Sequence, residues 1–403
     1  MSRMGRGGSS YVRGAVGLLL CGVTVMALSS PVPVSGQQTP VKIPIVSSIT
    51  GDVSGPGTGM ADALQLAAEE INARGGILGR KIEISIYDTQ SDPPTAVAVM
   101  RRALNEKPFV VWGPVNSSDT VADMHVAQEA GVPQMTASEA AVITEKNNPN
   151  IFRVSFTQRI GMAKLAKWMA EDLKAEKVAV IWGNDAFGKG GWDSFNPEWQ
   201  ARGKSILINV PAENGQVDFT AELTQVKKSG AQNLFVYMHE DETARLITQL
   251  RKMGLQFDNI IGETTLCTEQ VINLAKEAVE GVKCHVGLTA VAPVPGIADL
   301  LKRFEPRFNR PVDHNVLKGY IMAYLTKAVV EATGSFDQEK FRSCLHGMYL
   351  EAAKEPGLFM DLYMNDRGDI DRESFLVEVK GGKNVVTKIL PMLHGGYPRK
   401  ACK

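Results

Sequence analysis

From about residue 41 the chain alternates short apolar runs with longer stretches of helical periodicity, and that alternation constrains the fold more than any other feature. VKIPIVSSITG (41–51) reads as a strand leading into a glycine-rich loop. Over 59–74, Met60, Leu64, Ala67 and Ile71 fall on one helical face, and Gly75-Gly76 ends the pattern. RKIEISIYD (80–88) alternates as a strand does, with Ile82, Ile84 and Ile86 on one side. SDPPTAVAVMRRAL (91–104) starts a helix with Asp92 as N-cap and Pro93 in its first turn, and FVVWG (109–113) is a third strand. Parallel strands need a crossover between them, which a helix supplies. This βα succession therefore predicts an α/β fold built on a mostly parallel sheet.

The pattern restarts after Phe156. A helix near 160–173 precedes the strand KVAVIWG (177–183), another helix follows Phe187, and SILINV, NLFVYM and NIIG read as further strands. Between the last two, 240–253 presents Leu246, Ile247, Leu250 and Met253 on one face. A helix at about 317–333 and a β-like stretch, SFLVEVKGG (374–382), follow. Two successive α/β halves are expected. Open parallel sheets bind ligands beyond the carboxyl ends of their strands. Those ends carry the loops 50–59, 113–120 and 136–144 in the first half, and 183–191, 238–242 and 262–267 in the second. A cleft between the facing loops is the expected site.

The loops hold binding chemistry. GPVNSSDT (113–120) offers Asn116, Ser117 and Ser118 just before a helix, where unpaired backbone N–H groups and hydroxyls suit a carboxylate. Ser117 or Ser118 serves equally as a plain N-cap, and both roles can hold at once. The first loop, TGDVSGPGTG, matches no phosphate-binding fingerprint; its small residues, Ser54 among them, let backbone approach a ligand closely. Phe187 suits an aromatic wall or a core plug, and His239 opens a polar cluster, HEDE, that also charges the start of a helix. Glu263 and Thr264 follow a strand end, where an acid receives a cation. No GxSxG elbow, HExxH pair or Cys-His arrangement is present, so no catalytic residue is assigned and an enzyme is not expected.

The first 36 residues stand apart. Arg3, Arg6 and Arg13 form a basic start without an acid, a short apolar run covers 15–28, and small residues follow to Gly36. That is the pattern of a secretory signal, and the run is too short for a span of roughly 20 apolar residues. Bulky Leu20 before Cys21 argues against a lipid anchor. With 44 basic and 44 acidic side chains in all, loss of those three arginines leaves a net charge of −3, which offers nothing to nucleic acid. Cys267, Cys284, Cys344 and Cys402 remain for disulfides in an oxidising compartment, with Cys267–Cys284 the favoured pair because it clips one helix-sized loop. Their spacing matches no zinc site, and neither metal nor cofactor is expected.

At its loops the chain resembles the leucine/isoleucine/valine-binding family, the periplasmic solute receptors of amino-acid ABC importers. The matching pieces are TGDVSGPGTG, AEEINARGGILGRKIEI, YDTQSDPPTAVAVMRRAL, WGPVNSSDT, PQMTASEAAVIT and QLRKMGL, in order over nearly all of the chain beyond the leader. The resemblance implies a type I periplasmic-binding-protein fold of two doubly wound parallel-sheet lobes. The lobes are 37–157 with 290–361, and 158–289 with 362–403, joined by a three-strand hinge near 154–159, 287–291 and 359–364. It further implies closure over a ligand, a periplasmic monomer, and delivery to the permease and ATPase subunits of an importer. A ligand-sensing module for a signalling partner is the alternative, ahead of an exported enzyme.

Carried over residue by residue, Ser117 falls where the family binds the ligand's α-carboxylate, and Ser138 where backbone meets the ligand. Ala140 replaces a head-group threonine, Phe187 and His239 replace two tyrosines, and Pro56 replaces a third. Thr264 stands where a glutamate receives the α-ammonium, with Glu263 one residue away. Because a buried ammonium without a partner costs several kcal/mol, amine-free carboxylates stay beside amino acids and amides as ligand classes. The exported protein is expected to begin near Gln37, and an intact-mass measurement on secreted material checks it.

Overall fold

The computed structural model describes residues 38–393 and Cys402, so the secretory signal inferred over 1–36 lies outside the described residues. Two sheets organise the chain. The first places Ile86–Asp88, Ile45–Ser47, Val111–Trp112, Gln134–Thr136 and Ile151–Arg153 side by side, every neighbouring pair parallel. The second sets Ile206–Ala212, Val178–Gly183, Asn233–Tyr237, Asn259–Glu263 and Lys283–Val286 in parallel, and closes with Ser374–Lys380 and Lys383–Leu390 as an antiparallel pair. In chain order each parallel part runs second, first, third, fourth, fifth. Such a sheet reverses direction between its first and third strands, and the loops leaving those strands diverge to open a crevice.

The chain changes sheet three times: after Ile151–Arg153, after Lys283–Val286, and before Ser374–Lys380. Strand character follows position. Val178–Gly183 is buried along its whole length, as a strand covered on both faces must be, whereas the edge strand Ile206–Ala212 mostly alternates. The alternation of Ile82, Ile84 and Ile86 is not a single buried face. Ile82 belongs to a short parallel pair with Val41–Lys42, and Ile86 on the edge of the first sheet is 45 % exposed. Pro44 likewise divides the run 41–47 into two strands.

The first helix, Ser54–Ala73, starts earlier than its apolar face, taking in three glycines of the expected loop. Those glycines let it approach the strand end. A Cβ at Gly57 would lie 2.0 Å from the Ser48 carbonyl oxygen, and one at Gly55 would strike the Gln270 amide. The long helix His314–Thr333 packs against it at Gly319, where a Cβ would meet the Met60 carbonyl at 2.5 Å. Asp313 caps this helix through the N–H groups of Asn315 and Val316, and Trp112 Nε1 donates to Thr326 Oγ1 at 2.9 Å. The start of the helix is thereby fixed beside the strand ends of the first sheet. Among the described residues no helix is long and apolar enough to cross a membrane.

The favoured disulfide, Cys267–Cys284, is present and spans 17 positions; a second joins Cys344 to Cys402. Cys267 ends the turn Thr264–Cys267 that leaves the fourth strand of the second sheet, and Cys284 lies on the fifth, so the bond ties a strand-end loop to its sheet. Replacing Cys267 and Cys284 together by serine is expected to lower unfolding stability by about 3 kcal/mol. Urea titration under oxidising conditions, with Cys344–Cys402 intact, measures it.

Candidate ligand-binding site

Both crevices open onto one cavity. The first sheet supplies Val53 and Pro56 beyond its first strand, Val115 beyond its third, and Ala137 and Glu139 beyond its fourth. The second sheet supplies Phe187, His239 with Glu240, and Thr265 from the corresponding three positions. His314, Asn315 and Lys318 enter from the start of the long helix. Equivalent loops of two similarly ordered sheets thus converge, which is the placement that parallel-sheet topology favours for a ligand. A larger groove of about 750 Å³, around Arg80, Phe109 and Phe336, lies at the amino ends of the first sheet's strands, where no such convergence occurs.

Glu139 dominates the cavity. Its Oε1 accepts from Lys318 Nζ at 2.5 Å, both side chains being at most one-tenth exposed, and its Oε2 accepts from the Tyr237 hydroxyl at 3.4 Å. The Glu139–Tyr237 bond runs from one sheet's loops to the other sheet. Asn315 Nδ2 donates to Glu240 Oε1 at 3.3 Å, and the Ala141 N–H to Gln158 Oε1 at 3.2 Å, adding two further crossings. Burial pushes the Glu139 carboxyl up despite the Lys318 ammonium, and the Glu263 charge adds to the rise. Burial also pushes Glu240 to about 7, against the pull of His239.

Phe187 forms the aromatic wall. It stacks on Tyr237 with centroids 4.2 Å apart and on His239 at 4.9 Å, and Gln158 Nε2 holds its carbonyl at 2.6 Å. His239 Nε2 meets Asp185 Oδ2 at 2.7 Å. Burial works against the charge on His239, but Asp185, with Glu242 and Glu240 behind it, outweighs burial and pushes the imidazole up to about 9. Asp185 also caps the helix Ala186–Gln200 by accepting from Gly188 N–H, so one carboxylate sets both rings of the wall.

Several residues expected at the ligand do not line the cavity and stand one layer behind it. Asn116, not Ser117 or Ser118, is the N-cap, accepting from Ser118 N–H at 3.0 Å. Ser117 Oγ accepts from the N–H groups of Glu139 and Ala140 at 3.3 and 3.2 Å, so it holds the loop that carries Glu139. The N–H of Ser138 donates to Thr136 Oγ1, and its carbonyl accepts from Arg153 and Ser155, leaving its backbone engaged within the first sheet's loops. Ala140 is fully buried with Met124, Ile143 and Ile151, and its carbonyl takes Arg153 Nη2. Ser54 starts its helix, while Val53 and Pro56 face the cavity.

Glu263 Oε1 lies 3.2 Å from His285 Nδ1, and among the described residues Oε2 is buried without a hydrogen-bond partner. Burial pushes Glu263 up to about 7 and His285 down to about 3. Thr264 turns, with φ +33°, into a neighbouring small cavity, and Thr265 lines the main one. Of the expected residues, Pro56, Phe187 and His239 therefore line it directly. Sequence reasoning missed Glu139, Glu240, Tyr237 and Lys318. Glu139 lay inside the quoted loop TASEAAVIT, and Lys318 in the first turns of a helix whose true start is His314. Among the described residues no cluster of His, Cys, Asp or Glu is arranged to hold a metal.

Residues 40–384 match the periplasmic binding protein family. The chain belongs to that family. A relative in Pseudomonas aeruginosa, described as a leucine-, isoleucine-, valine-, threonine- and alanine-binding protein, is 26 % identical over 338 residues, 84 % of this chain and 89 % of its own. The leucine binding protein LivK of Thermotoga maritima superposes with a TM-score of 0.78 at 22 % identity, over 87 % of this chain and 99 % of its own. An ABC transporter solute binding protein of R. palustris, in complex with benzoate, superposes with a TM-score of 0.79 at 20 % identity, over 89 % of this chain and 98 % of its own. The fold is thus the type I periplasmic-binding-protein fold expected from the sequence.

The ring pair gives a pH dependence. His239 is raised from 6.5 to about 9 in the folded protein, so its contribution is complete below pH 6.5 and lost as pH rises through 9. Since the ring keeps 12 % exposure, about 2 kcal/mol is expected rather than the full value of the shift. Asp185→Asn keeps a good N-cap but removes the charge. Urea unfolding should therefore find wild type and variant well separated at pH 6 and nearly equal at pH 10.

Proposed function

We propose that this chain is the exported solute-binding component of an ABC importer, capturing a small carboxylate-bearing solute between two lobes and delivering it to a membrane permease. The observation that carries this reading is the convergence of equivalent strand-end loops on one cavity with an aromatic wall and a buried ammonium. The lobes are 37–157 with 290–361, and 158–289 with 362–403, each centred on one sheet. Its relatives support the ligand class, since the amino acids and the benzoate in their descriptions share a carboxylate and differ in the amine.

Binding and closure are one event. Contacts made by the solute to both lobes exist only when the lobes meet, so its binding free energy favours the closed arrangement. Asn315–Glu240 and Ala141–Gln158 are bonds of that arrangement. A permease that recognises the closed form then receives loaded protein in preference.

A thermal-shift screen of amino acids and amine-free aliphatic and aromatic acids tests the reading, because a solute that binds only folded protein raises its melting temperature. At least one carboxylate is expected to do so, and small-angle scattering should show a smaller radius of gyration on saturation. Phe187→Ala should weaken that solute by about 2 kcal/mol, as truncation of a buried aromatic anchor does. Absence of any stabilising carboxylate contradicts the proposal.

A further inference from the structure

The cavity measures only about 30 Å³, room for one or two water molecules, yet much of its lining is polar or charged. A solute of several heavy atoms therefore enters only if something in it moves. The centre is held by the Glu139 carboxylate, on a loop rather than a strand or helix. Lys318, by contrast, belongs to a helix fixed by the Asp313 cap, the Gly319 contact and the Trp112–Thr326 bond. The loop backbone is itself held by Ser117 and Arg153, so what moves is the Glu139 side chain.

We infer that Lys318 is the residue that receives the solute's carboxylate, and that Glu139 is a built-in competitor for the same ammonium, displaced when the solute binds. This rests on the reading of the chain as a receptor for small carboxylates. Glu139 already makes the contacts a bound carboxylate would make: one oxygen on Lys318, the other on the Tyr237 hydroxyl, beside the Phe187 ring that stacks on Tyr237. Ser117, the expected carboxylate ligand, instead fixes the backbone from which Glu139 projects.

The displaced carboxylate has a destination. Arg372 is 1 % exposed, its Nε and Nη1 have no hydrogen-bond partner among the described residues, and its guanidinium lies over the Phe156 ring. Among the charges that favour that guanidinium, Glu139 comes first and Asp371 second. A buried cation short of hydrogen bonds is costly, and burial pushes Arg372 down to about 9 despite the charges of Glu139 and Asp371. Exchange pairs the solute with Lys318 and offers the Glu139 carboxylate to the open Nε and Nη1 of Arg372. A solute without a negative group cannot replace Glu139 on Lys318, so the pair selects carboxylates over their isosteric amides.

Calorimetric titration of purified protein at pH 7 with benzoate against benzamide, and L-leucine against L-leucinamide, tests the assignment. Wild type should prefer the carboxylate of at least one pair. Lys318→Met should lower the carboxylate-to-amide affinity ratio by about 30-fold or more, as loss of a buried charge partner does. Lys318→Arg should restore most of it. Glu139→Gln should tighten carboxylate binding by about 10-fold, because the competing charge is gone. The double variant Glu139→Gln/Lys318→Met leaves no orphan of the pair, folds without that cost, and should still bind carboxylates weakly. A ratio unchanged in Lys318→Met and in the double variant overturns the assignment, as does weaker carboxylate binding by Glu139→Gln. If neither carboxylate binds wild type and no acid of the thermal-shift screen stabilises it, the receptor reading falls as well; if one binds and the variants leave it unmoved, only the role of Lys318 falls.

Discussion

A carboxylate and an ammonium, both nearly out of water, meet at 2.5 Å between the two sheets as Glu139 and Lys318. Burying such a pair is favourable only when its geometry is held and its remaining hydrogen-bond capacity is met. The surroundings satisfy that demand. Ser117 and Arg153 fix the loop carrying Glu139, the latter through the carbonyls of Ser138 and Ala140 and its own ion pair with Asp369 at 2.6 Å. The Asp313 cap fixes the turn that carries Lys318. Hydroxyls and amides placed one layer behind the cavity thus hold the pair in place rather than line the cavity.

Much of the fold was legible because it rests on local periodicity. The continuous burial of Val178–Gly183 and the Asp92 cap with Pro93 behind it are properties of contiguous residues. The strand Lys283–Val286 was not legible. It holds a lysine, a cysteine and a histidine in four positions, and becomes a strand because Asn259–Glu263 and Ser374–Lys380 flank it. The early start of the first helix was hidden for a related reason: glycines discourage a helix locally, and here they are required by the close approach to Ser48.

The site was legible at the level of loops and less so at the level of atoms. The expected strand-end loops line the cavity, Phe187 and His239 among them, because parallel topology dictates which loops converge. Which side chain of a loop faces inward depends on backbone turns that the sequence does not display. The positive φ of Thr264 sends it away and brings Thr265 in, and a hydroxyl as well suited as Ser117 is spent on neighbouring N–H groups. Lys318 came from a distant helix, where a lone lysine carries no signal.

In the proposed reading, binding, closure and selectivity have one physical origin, the exchange of an internal carboxylate for an external one at a cation buried beside the cavity. A crystal structure of the protein grown with a carboxylate that stabilises it tests this most directly. The account predicts the solute between Phe187 and Lys318, its carboxylate within hydrogen-bond distance of Nζ and Glu139 turned toward Arg372. A solute seated in the groove around Arg80 and Phe336, or one lying in the cleft with the Glu139–Lys318 pair unbroken, would contradict it.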